Sequence, residues 1–481
     1  MKNKNILPLA ISIIVGLVIW FLPAHVFGIE NLSVIEQRVI ALFCFAAIMW
    51  ITEAVPIWAT SVLIIVIMLL TISDNSIWFM RVAEGFDYGR PFGQTIQYQA
   101  LMATFADPII MLFLGGFILA IGAGKCGLDN NLARVMFKPF GTNSNTVLLG
   151  LMLITATFSM FMSNTATTAM MFAVMAPLLA PMDKSEKGRI ALILAIPVAA
   201  NIGGLGTPIG TPPNAIALKY LNDPNGLNLG IGFGQWMTFM VPYVYAMIFL
   251  SWLFMIKLFP FSKKQVKLNF DGKFEKSPKA YIIYATFAVT ILLWMFDKLT
   301  GLNANIVAMI PIAVFGITGI ITKEDLKHIS WDVLWLVAGG FALGVALETT
   351  GLAKNLVYSI PFAQWQPIVT IVGAGLLCYT MSTFMSNTAT AALLIPVLTA
   401  VAVGMGDSIL AYGGVTTLLM GVAISSSVAM ALPISTPPNA IALATGLIMQ
   451  RDMLKIGLLV GVVGLAIGYI MLFVLGCGGA F

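Results

Sequence analysis

Long apolar runs alternate with short polar segments along nearly the whole chain. A helix needs roughly 20 apolar residues to cross a bilayer, so runs of this kind predict transmembrane helices. Eleven crossings are predicted, at residues 6–29, 34–51, 55–72, 108–124, 190–221, 237–259, 281–296, 306–322, 333–347, 415–448 and 456–476. The pattern therefore indicates an all-α polytopic membrane protein.

Two further apolar stretches, 147–182 and 368–403, differ from the others because the sequence FMSNTAT lies at the centre of each. Polar backbone is tolerated at membrane depth only where it is buried in protein or lines a wet cavity. Each stretch is long enough to enter the membrane, break at the motif and return to the same side. We therefore predict two re-entrant hairpins whose tips, the SNT segments 163–165 and 386–388, meet at one site.

A second motif is also duplicated, and its spacing matches. TPPNAIAL begins at Thr211 and again at Thr436, 225 residues later, whereas the two FMSNTAT copies are 223 residues apart. The two halves therefore align with almost no insertion, and each contains five crossings. An odd number of crossings would place the second half upside down in the membrane, which is a recurrent plan of secondary transporters.

This repeat predicts how the chain is organised. We expect a first transmembrane helix (1–32), an N-terminal repeat with the first hairpin (33–259), a basic cytoplasmic linker (260–280) and a C-terminal repeat with the second hairpin (281–481). The predicted fold is thus eleven transmembrane helices plus two re-entrant hairpins in an inverted five-helix repeat.

Composition and charge agree with a membrane location. Of the 481 residues, 59% are hydrophobic and only 9% are charged. With the N-terminus in the cytoplasm, 19 of the 25 Lys and Arg residues fall on the cytoplasmic side of the predicted topology, in accord with the positive-inside rule. The net charge of +5 is therefore a topology signal and does not indicate a nucleic-acid partner. We expect a multi-pass protein of the plasma or inner membrane, with its C-terminus outside.

The SNT segments supply a candidate anion site. Serine and asparagine favour the N-cap position, so a half-helix should begin at each segment with free N–H groups and the positive end of its dipole directed at the site. Such a helix end binds anions without needing a basic side chain. Two of them facing each other suit an anion with two carboxylates, one for each SNT segment.

The TPPN motifs supply candidate cation ligands. Paired prolines remove backbone donors and break the helix, which should leave backbone carbonyls and the hydroxyls of Thr211 and Thr436 free within the membrane. Unwound carbonyls and nearby oxygens coordinate sodium in transporters. Ser159 and Ser382, each four residues before an SNT serine, could supply further oxygens.

The paired SNT and TPPN motifs, the GGF sequences at 115–117 and 339–341 and the inverted repeat resemble the divalent anion/sodium symporter family, whose members carry di- and tricarboxylates or sulfate. The resemblance covers essentially the whole chain. It implies a homodimer in the lipid membrane, with scaffold and transport domains, that moves its substrate by an elevator-like displacement of the transport domain. Gly210 and Ser435 depart from the symmetry of two otherwise matching segments.

The resemblance also implies roles for individual residues. The substrate would be held by Asn164, Thr165, Asn387 and Thr388, with Thr211, Thr436 and Pro437 beside them, and the serines Ser163 and Ser386 complete this predicted substrate site. One sodium site would be outlined by Ser159, Ser163, Asn164 and the Gly210 carbonyl. Its counterpart would be outlined by Ser382, Ser386, Asn387 and the Ser435 carbonyl.

The predicted function is secondary active transport of a dicarboxylate of the succinate, malate, fumarate or 2-oxoglutarate class. No catalytic residue and no cofactor is expected, with sodium as the candidate coupling ion. The sequence leaves open whether transport is sodium symport or dicarboxylate exchange. A transporter of sulfate or another inorganic dianion is the alternative.

Other classes fit the sequence less well. An ion channel would carry rings of charged side chains or a carbonyl filter. A membrane-embedded enzyme would need a general acid, a general base or a metal ligand, whereas the two histidines, His25 and His328, lie near the predicted membrane edges. A proton-driven pump is disfavoured because proton relays use intramembrane Asp, Glu or His.

Overall fold

The computed structural model describes residues 6–81, 89–179, 182, 186–224, 226–263, 265 and 274–479. All regular structure in these ranges is helical, apart from two isolated β-bridges. The all-α prediction is therefore confirmed. Both chain ends, residues 180–181 of the first predicted hairpin and residues 264 and 266–273 of the predicted basic linker lie outside the described residues.

The helices divide evenly between the two halves of the sequence. The first half contains α1 (Ile6–Phe21), α2 (Val34–Thr52), α3 (Ile57–Thr71), α4 (Tyr98–Ala103), α5 (Pro108–Lys125), α6 (Leu128–Phe137), α7 (Ser144–Ser159), α8 (Asn164–Leu179), α9 (Lys187–Gly203), α10 (Pro212–Leu221) and α11 (Phe233–Leu258). The second half contains α12 (Pro278–Met295), α13 (Asp297–Thr300), α14 (Ala304–Val307), α15 (Met309–Ile317), α16 (Trp331–Thr349), α17 (Leu352–Ser359), α18 (Pro367–Phe384), α19 (Asn387–Met405), α20 (Gly414–Val428), α21 (Pro437–Ala444) and α22 (Gln450–Cys477). Short 3-10 helices lie at Ala24–Phe27, Trp78–Met80, Thr104–Ala106, Lys138–Phe140, Gly204–Gly206, Asp325–His328, Phe362–Gln364 and Gly406–Tyr412.

Proline explains where several predicted runs end or divide. The run 190–221 is two helices, because α9 ends at Gly203 and α10 begins only at Pro212. The run 415–448 divides in the same way between α20 and α21. The first run ends at Phe21 and not at residue 29, because Pro23 disfavours helical backbone in the residue before it.

Nine helices in the described part of the chain are long and apolar enough to cross a membrane. They are Val34–Thr52, Tyr98–Lys125, Lys187–Gly206, Phe233–Leu258, Pro278–Met295, Trp331–Thr349, Pro367–Phe384, Asn387–Tyr412 and Gln450–Cys477. Both arms of the second predicted hairpin are among them, so helix length does not separate a re-entrant arm from a full crossing. The count of eleven crossings and the two hairpins stay predictions.

The helices pack as two sets. Helices α1–α5 and α12–α16, here called the framing helices, contact one another, for example α3 with α16 and α5 with α15. Helices α7–α11 and α18–α22, which carry both motifs and are here called the motif helices, form the second set. Within it α7 and α8 pack on α9, and α18 and α19 pack on α20. Equivalent helices of the two halves thus make equivalent contacts, whereas the inverted orientation of the halves stays a prediction.

An ion pair joins two of the framing elements. Lys125 Nζ, at the end of α5, lies 2.5 Å from Asp325 Oδ2 and donates to the Ile320 carbonyl at 2.8 Å. Hydrogen bonds from Lys125 and Thr322 lower the pKa of Asp325 to about 2. The end of α5 is therefore tied to the segment that leads into α16.

Cysteine labelling tests the predicted topology. Lys276 and Asp407 are exposed and lie on opposite sides of the predicted membrane. After the exposed Cys477 is replaced by serine, Lys276→Cys should react with an impermeant maleimide only from the cytoplasm. Asp407→Cys should react only from outside. Labelling of both positions from one side would overturn the eleven-crossing topology and the inverted repeat with it.

Candidate functional site

A cavity of about 370 Å³ lies where the two SNT segments and the two TPPN motifs meet. All nine predicted substrate-binding residues line it, namely Ser163, Asn164, Thr165, Thr211, Ser386, Asn387, Thr388, Thr436 and Pro437. Of the predicted sodium ligands, Gly210 and Ser435 also line it, whereas Ser159 and Ser382 lie behind the SNT segments. The structure therefore brings both motif pairs to one place, and the binding roles of these residues stay predictions.

Four helices begin at this cavity. Their first residues are Asn164 of α8, Asn387 of α19, Pro212 of α10 and Pro437 of α21, and all four line the cavity. The starts of α8 and α19 present backbone N–H groups and the positive end of the helix dipole, whereas α10 and α21 begin with two prolines that lack an N–H. No Lys, Arg or His is among the described residues that line the cavity. Attraction of an anion to this site would therefore come from backbone groups, and the sequence anticipated two of the four helix starts.

Serine caps the helix at both SNT segments. Ser163 Oγ accepts a hydrogen bond from the backbone N–H of Ala166 at 3.2 Å, and Ser386 Oγ accepts from Ala389 at 3.2 Å. This confirms the predicted helix starts, with serine as the capping residue and the asparagine as the first helical residue. The two N–H groups that follow each serine make no hydrogen bond within the described residues; they belong to Asn164, Thr165, Asn387 and Thr388. Each SNT segment therefore offers two adjacent backbone donors, which matches the two oxygens of a carboxylate.

The asparagine side chains are held from behind by serine. Ser382 Oγ lies 2.8 Å from the Asn387 amide and 2.9 Å from the Ser426 carbonyl. A hydroxyl has one hydrogen, and because the carbonyl can only accept it, the Asn387 amide must donate to Ser382 Oγ. This arrangement turns the amide nitrogen towards the serine and leaves the Asn387 amide oxygen available as an acceptor or a cation ligand.

The first half has the same arrangement. The amide nitrogen of Asn164 lies 2.7 Å from Ser159 Oγ, and Ser159 Oγ donates to the Ala200 carbonyl at 2.8 Å. The same amide nitrogen is 3.2 Å from the Gly210 carbonyl oxygen. Ser159 and Ser382 are therefore positioning residues for the SNT asparagines as well as candidate oxygen ligands.

The carbonyls near the TPPN motifs are not free, contrary to the expectation from sequence. Asn214 Nδ2 donates to the carbonyls of Gly204 at 2.9 Å and Thr207 at 2.8 Å. Asn439 Nδ2 donates to the Met430 carbonyl at 2.7 Å in the second half. The asparagine side chain of each motif thus folds back and donates hydrogen bonds to carbonyls at the break in the helix. This leaves the Ser435 carbonyl as the better candidate for a cation, since the Asn164 amide nitrogen already lies 3.2 Å from the Gly210 carbonyl oxygen.

The Thr436 hydroxyl is also engaged. It accepts a hydrogen bond from Asn201 Nδ2 at 3.1 Å, and Asn201 is almost fully buried and lines the cavity. The Asn201 amide oxygen has no partner within the described residues. Sequence reasoning missed Asn201, although it lies 225 residues before Ser426 and so occupies the equivalent position in the repeat.

The difference between Gly210 and Ser435 has a structural explanation. Ser435 Oγ donates to the Thr383 carbonyl at 2.7 Å. In the first half, Thr207 Oγ1 donates to the carbonyl of Met160, which is equivalent to Thr383. A Cβ at Gly210 would lie 2.4 Å from a backbone carbonyl oxygen of the same break, so a serine does not fit there. The same hydrogen bond is therefore made from a position three residues earlier.

Framing helices form an apolar wall opposite the motifs. Phe113 and Phe117 of α5, Ile57 and Trp58 of α3 and Leu336 of α16 line the cavity. Periodicity alone could not assign them, because apolar residues in a membrane helix face lipid, protein or a cavity without any change in composition. The wall gives the cavity an apolar side opposite the polar motifs.

Comparison with known proteins places the chain in a family. Residues 47–413 match the family described as citrate transporter (CitMHS). The chain belongs to the citrate transporter family. This member of the family is 32% identical over 485 residues to an uncharacterised transporter of Haemophilus influenzae, covering 96% of this chain and 95% of that protein. It is also 30% identical over 509 residues to the sodium-dependent dicarboxylate transporter SdcS of Staphylococcus aureus USA300, covering 97% of this chain and 92% of SdcS.

Solved structures agree on the class of fold. This chain has a TM-score of 0.58 with the YdaH transporter of Alcanivorax borkumensis. The two are 12% identical, and the match covers 88% of this chain and 99% of YdaH. With MtrF of Neisseria gonorrhoeae, described as one of a class of antimetabolite efflux pumps, the TM-score is 0.52 at 14% identity, covering 87% of this chain and 94% of MtrF. The predicted family resemblance and the assignment as a multi-pass transporter, not an enzyme, are confirmed.

Proposed function

We propose that this chain is a secondary active transporter that carries a four- or five-carbon dicarboxylate across the cell membrane. The observation that carries the proposal is the convergence of four helix N-termini on one cavity without a basic side chain among its described lining residues. The two that begin at the SNT segments have free N–H groups, and they can each bind one carboxylate of a dianion. The relative SdcS, a sodium-dependent dicarboxylate transporter, supports the same substrate class.

Each carboxylate binds one SNT segment in this proposal. The free N–H groups of Asn164 and Thr165 receive one carboxylate, and those of Asn387 and Thr388 receive the other. The carbon chain between them packs on the apolar wall that includes Phe113. Sulfate has no apolar part to pack on this wall, so the lining favours a dicarboxylate over an inorganic dianion.

Sodium would bind as a second transported species next to the SNT segments. The ligands in this proposal are neutral oxygens of the SNT residues, of Ser159 and Ser382, and of the Gly210 and Ser435 carbonyls. Sodium takes oxygen ligands of this kind at unwound helices, and bound cations would neutralise a dianion as it crosses the low-dielectric barrier. The sodium dependence of SdcS favours symport, and obligate dicarboxylate exchange is the other form of coupling.

We further propose that the motif helices move as a unit against the framing helices, in an elevator-like displacement within a homodimer. The extensive packing within each set supports this division, since contact between the sets runs mainly through α16 and α19. The mouth of the cavity contains the exposed residues Pro56, Trp58 and Asp332. Because the predicted topology places these residues on the cytoplasmic side, this conformation would be open to the cytoplasm.

Transport into liposomes tests the function and its coupling. Vesicles containing purified protein are loaded with buffer or with unlabelled succinate, and uptake of labelled succinate is followed with and without an inward sodium gradient. Uptake into empty vesicles that requires sodium establishes symport, whereas uptake that requires internal succinate and ignores sodium establishes exchange. Vigorous sulfate transport without succinate transport would reject the dicarboxylate assignment.

A further inference from the structure

The cavity contains one residue whose charge opposes its proposed substrate. Asp332 is the single residue with a formal charge at neutral pH among the described residues that line the cavity. It is exposed, and it lies in the first turn of α16, opposite the motif helices. None of the three ion pairs found in the described chain includes it. An anion that enters through this mouth therefore passes a carboxylate that none of these ion pairs neutralises.

A fixed negative charge discriminates between anions by their charge. Coulomb repulsion by a fixed carboxylate grows in proportion to the charge of the ligand, so this carboxylate penalises a trianion more than a dianion. For like charges about 10 Å apart, an effective dielectric constant of about 80 to 25 converts each additional ligand charge into roughly a two- to tenfold loss of affinity.

We propose that Asp332 is a charge filter that admits dicarboxylates and disfavours tricarboxylates at this site. The inference rests on the proposed function, because it assumes that carboxylate anions bind in the cavity. It makes Asp332 a specificity-determining residue that acts through its field at the mouth and not through a hydrogen bond to the substrate. Its neighbour Ser330, also on the lining, carries no charge and serves as a matched position.

Two other roles for Asp332 predict different results. A purely structural role in the first turn of α16, where a negative charge favours the helix dipole, would change stability without changing selectivity. A role as a ligand for the coupling cation would make removal of the charge weaken succinate binding at fixed sodium concentration. The charge filter instead predicts that removal of the charge strengthens binding, and most for the most highly charged ligand.

The experiment uses two ligands with the same five-carbon backbone length, glutarate with two carboxylates and tricarballylate with three. Each competes with labelled succinate for purified full-length protein at equilibrium in detergent, so the orientation of the protein does not matter. In Asp332→Asn the ratio of the tricarballylate to the glutarate inhibition constant should fall two- to tenfold. Asp332→Glu and Ser330→Ala should both keep the wild-type ratio.

A salt series provides a second test. Raising choline chloride from about 0.01 M to 1 M shortens the screening length from about 30 Å to about 3 Å, so the difference between the wild-type ratio and that of Asp332→Asn should shrink. An unchanged ratio in Asp332→Asn, or weaker succinate binding by that variant, would overturn the inference.

The proposed function and this inference fail separately. Absence of succinate binding in the wild-type protein would reject the proposed function. Saturable succinate binding with a ratio that neither Asp332→Asn nor salt changes would reject only the charge filter.

Discussion

Replacing Asn387 with alanine is expected to abolish succinate transport, with a loss of at least about 100-fold in the initial rate. The Asn387 amide is fixed by Ser382 and begins α19 at the point where the two free N–H donors face the cavity. Alanine keeps both backbone N–H groups but removes the side-chain amide, and losing a hydrogen bond to a charged group costs about 1.5–3 kcal/mol. Losing the contact with Ser382, which orients the start of α19, adds to this cost. Asn164→Ala should have an equal effect, since the first SNT segment has the same geometry. Labelled succinate uptake into liposomes measures both.

The control is the same substitution at an exposed position just before the first predicted hairpin. Asn145 lies in the first turn of α7 with its side chain exposed, and Asn145→Ala should transport at the wild-type rate. Gel filtration and thermal unfolding should show that all three variants remain folded. If only one of the two SNT variants loses transport, the binding of one carboxylate by each SNT segment is wrong.

Duplication made the site predictable from sequence. Polar motifs such as FMSNTAT are energetically costly in an apolar stretch, so their recurrence indicated that both copies contribute to one site. The structure places both copies on one cavity together with both TPPN motifs. The helix starts followed from local capping chemistry, which acts over only three residues, as the bond from Ala389 N–H to Ser386 Oγ shows. Local rules of this kind need no knowledge of the fold.

Features that depend on distant contacts were not predictable. The sequence suggested that the carbonyls near the TPPN motifs are free, but the side chains of Asn214 and Asn439 donate hydrogen bonds to them. The sequence does not show which of several nearby groups an asparagine amide will bond. The apolar wall was missed because a phenylalanine such as Phe113 fits the sequence of a membrane helix equally well whether its side chain faces lipid or a cavity. Asp332 was missed because it lies far in sequence from both motifs and is brought to them only by the packing of α16 on α19.

The crossings were harder to count than the site was to find. Each arm of the second predicted hairpin is as long and as apolar as a full crossing, so hydropathy cannot distinguish an arm that returns from one that spans. The predicted number of crossings therefore rests on the odd number of crossings in each half and on the distribution of basic residues.

An ion pair between the two helix sets opposes the proposed movement of the motif helices in this conformation. Lys219, on α10, places Nζ 2.5 Å from Asp107 Oδ2 at the start of α5 and 3.6 Å from the ring centroid of Phe341 on α16. The lysine is largely buried, with 21% of its side chain exposed. One motif-helix side chain thus binds two framing helices, through an ion pair and a cation–π contact. Both contacts must break if the two sets slide past each other.

Removing this charge is expected to depopulate the conformation seen here. A partly buried ion pair with a cation–π contact contributes about 1–3 kcal/mol, which shifts a two-state equilibrium by roughly 5- to 150-fold. In Lys219→Met, a cysteine probe at Val333, which lines the cavity, should therefore react with an impermeant maleimide up to about tenfold more slowly. The probe is introduced after the exposed Cys477 has been replaced by serine.

Matched variants distinguish the loss of the Lys219–Asp107 ion pair from a general loss of charge. Asp107→Asn keeps the oxygen that caps Ile109 at 2.9 Å but loses the ion pair, so it should slow labelling as Lys219→Met does. The double variant should add little to either single variant, because both remove the same interaction. Lys327→Met removes a lysine from the exposed ion pair with Glu324 and should leave labelling unchanged. Additive effects of Lys219→Met and Asp107→Asn would mean that this ion pair does not hold the two helix sets together. Equal labelling rates in all variants would mean that the contact does not govern the opening of the cavity.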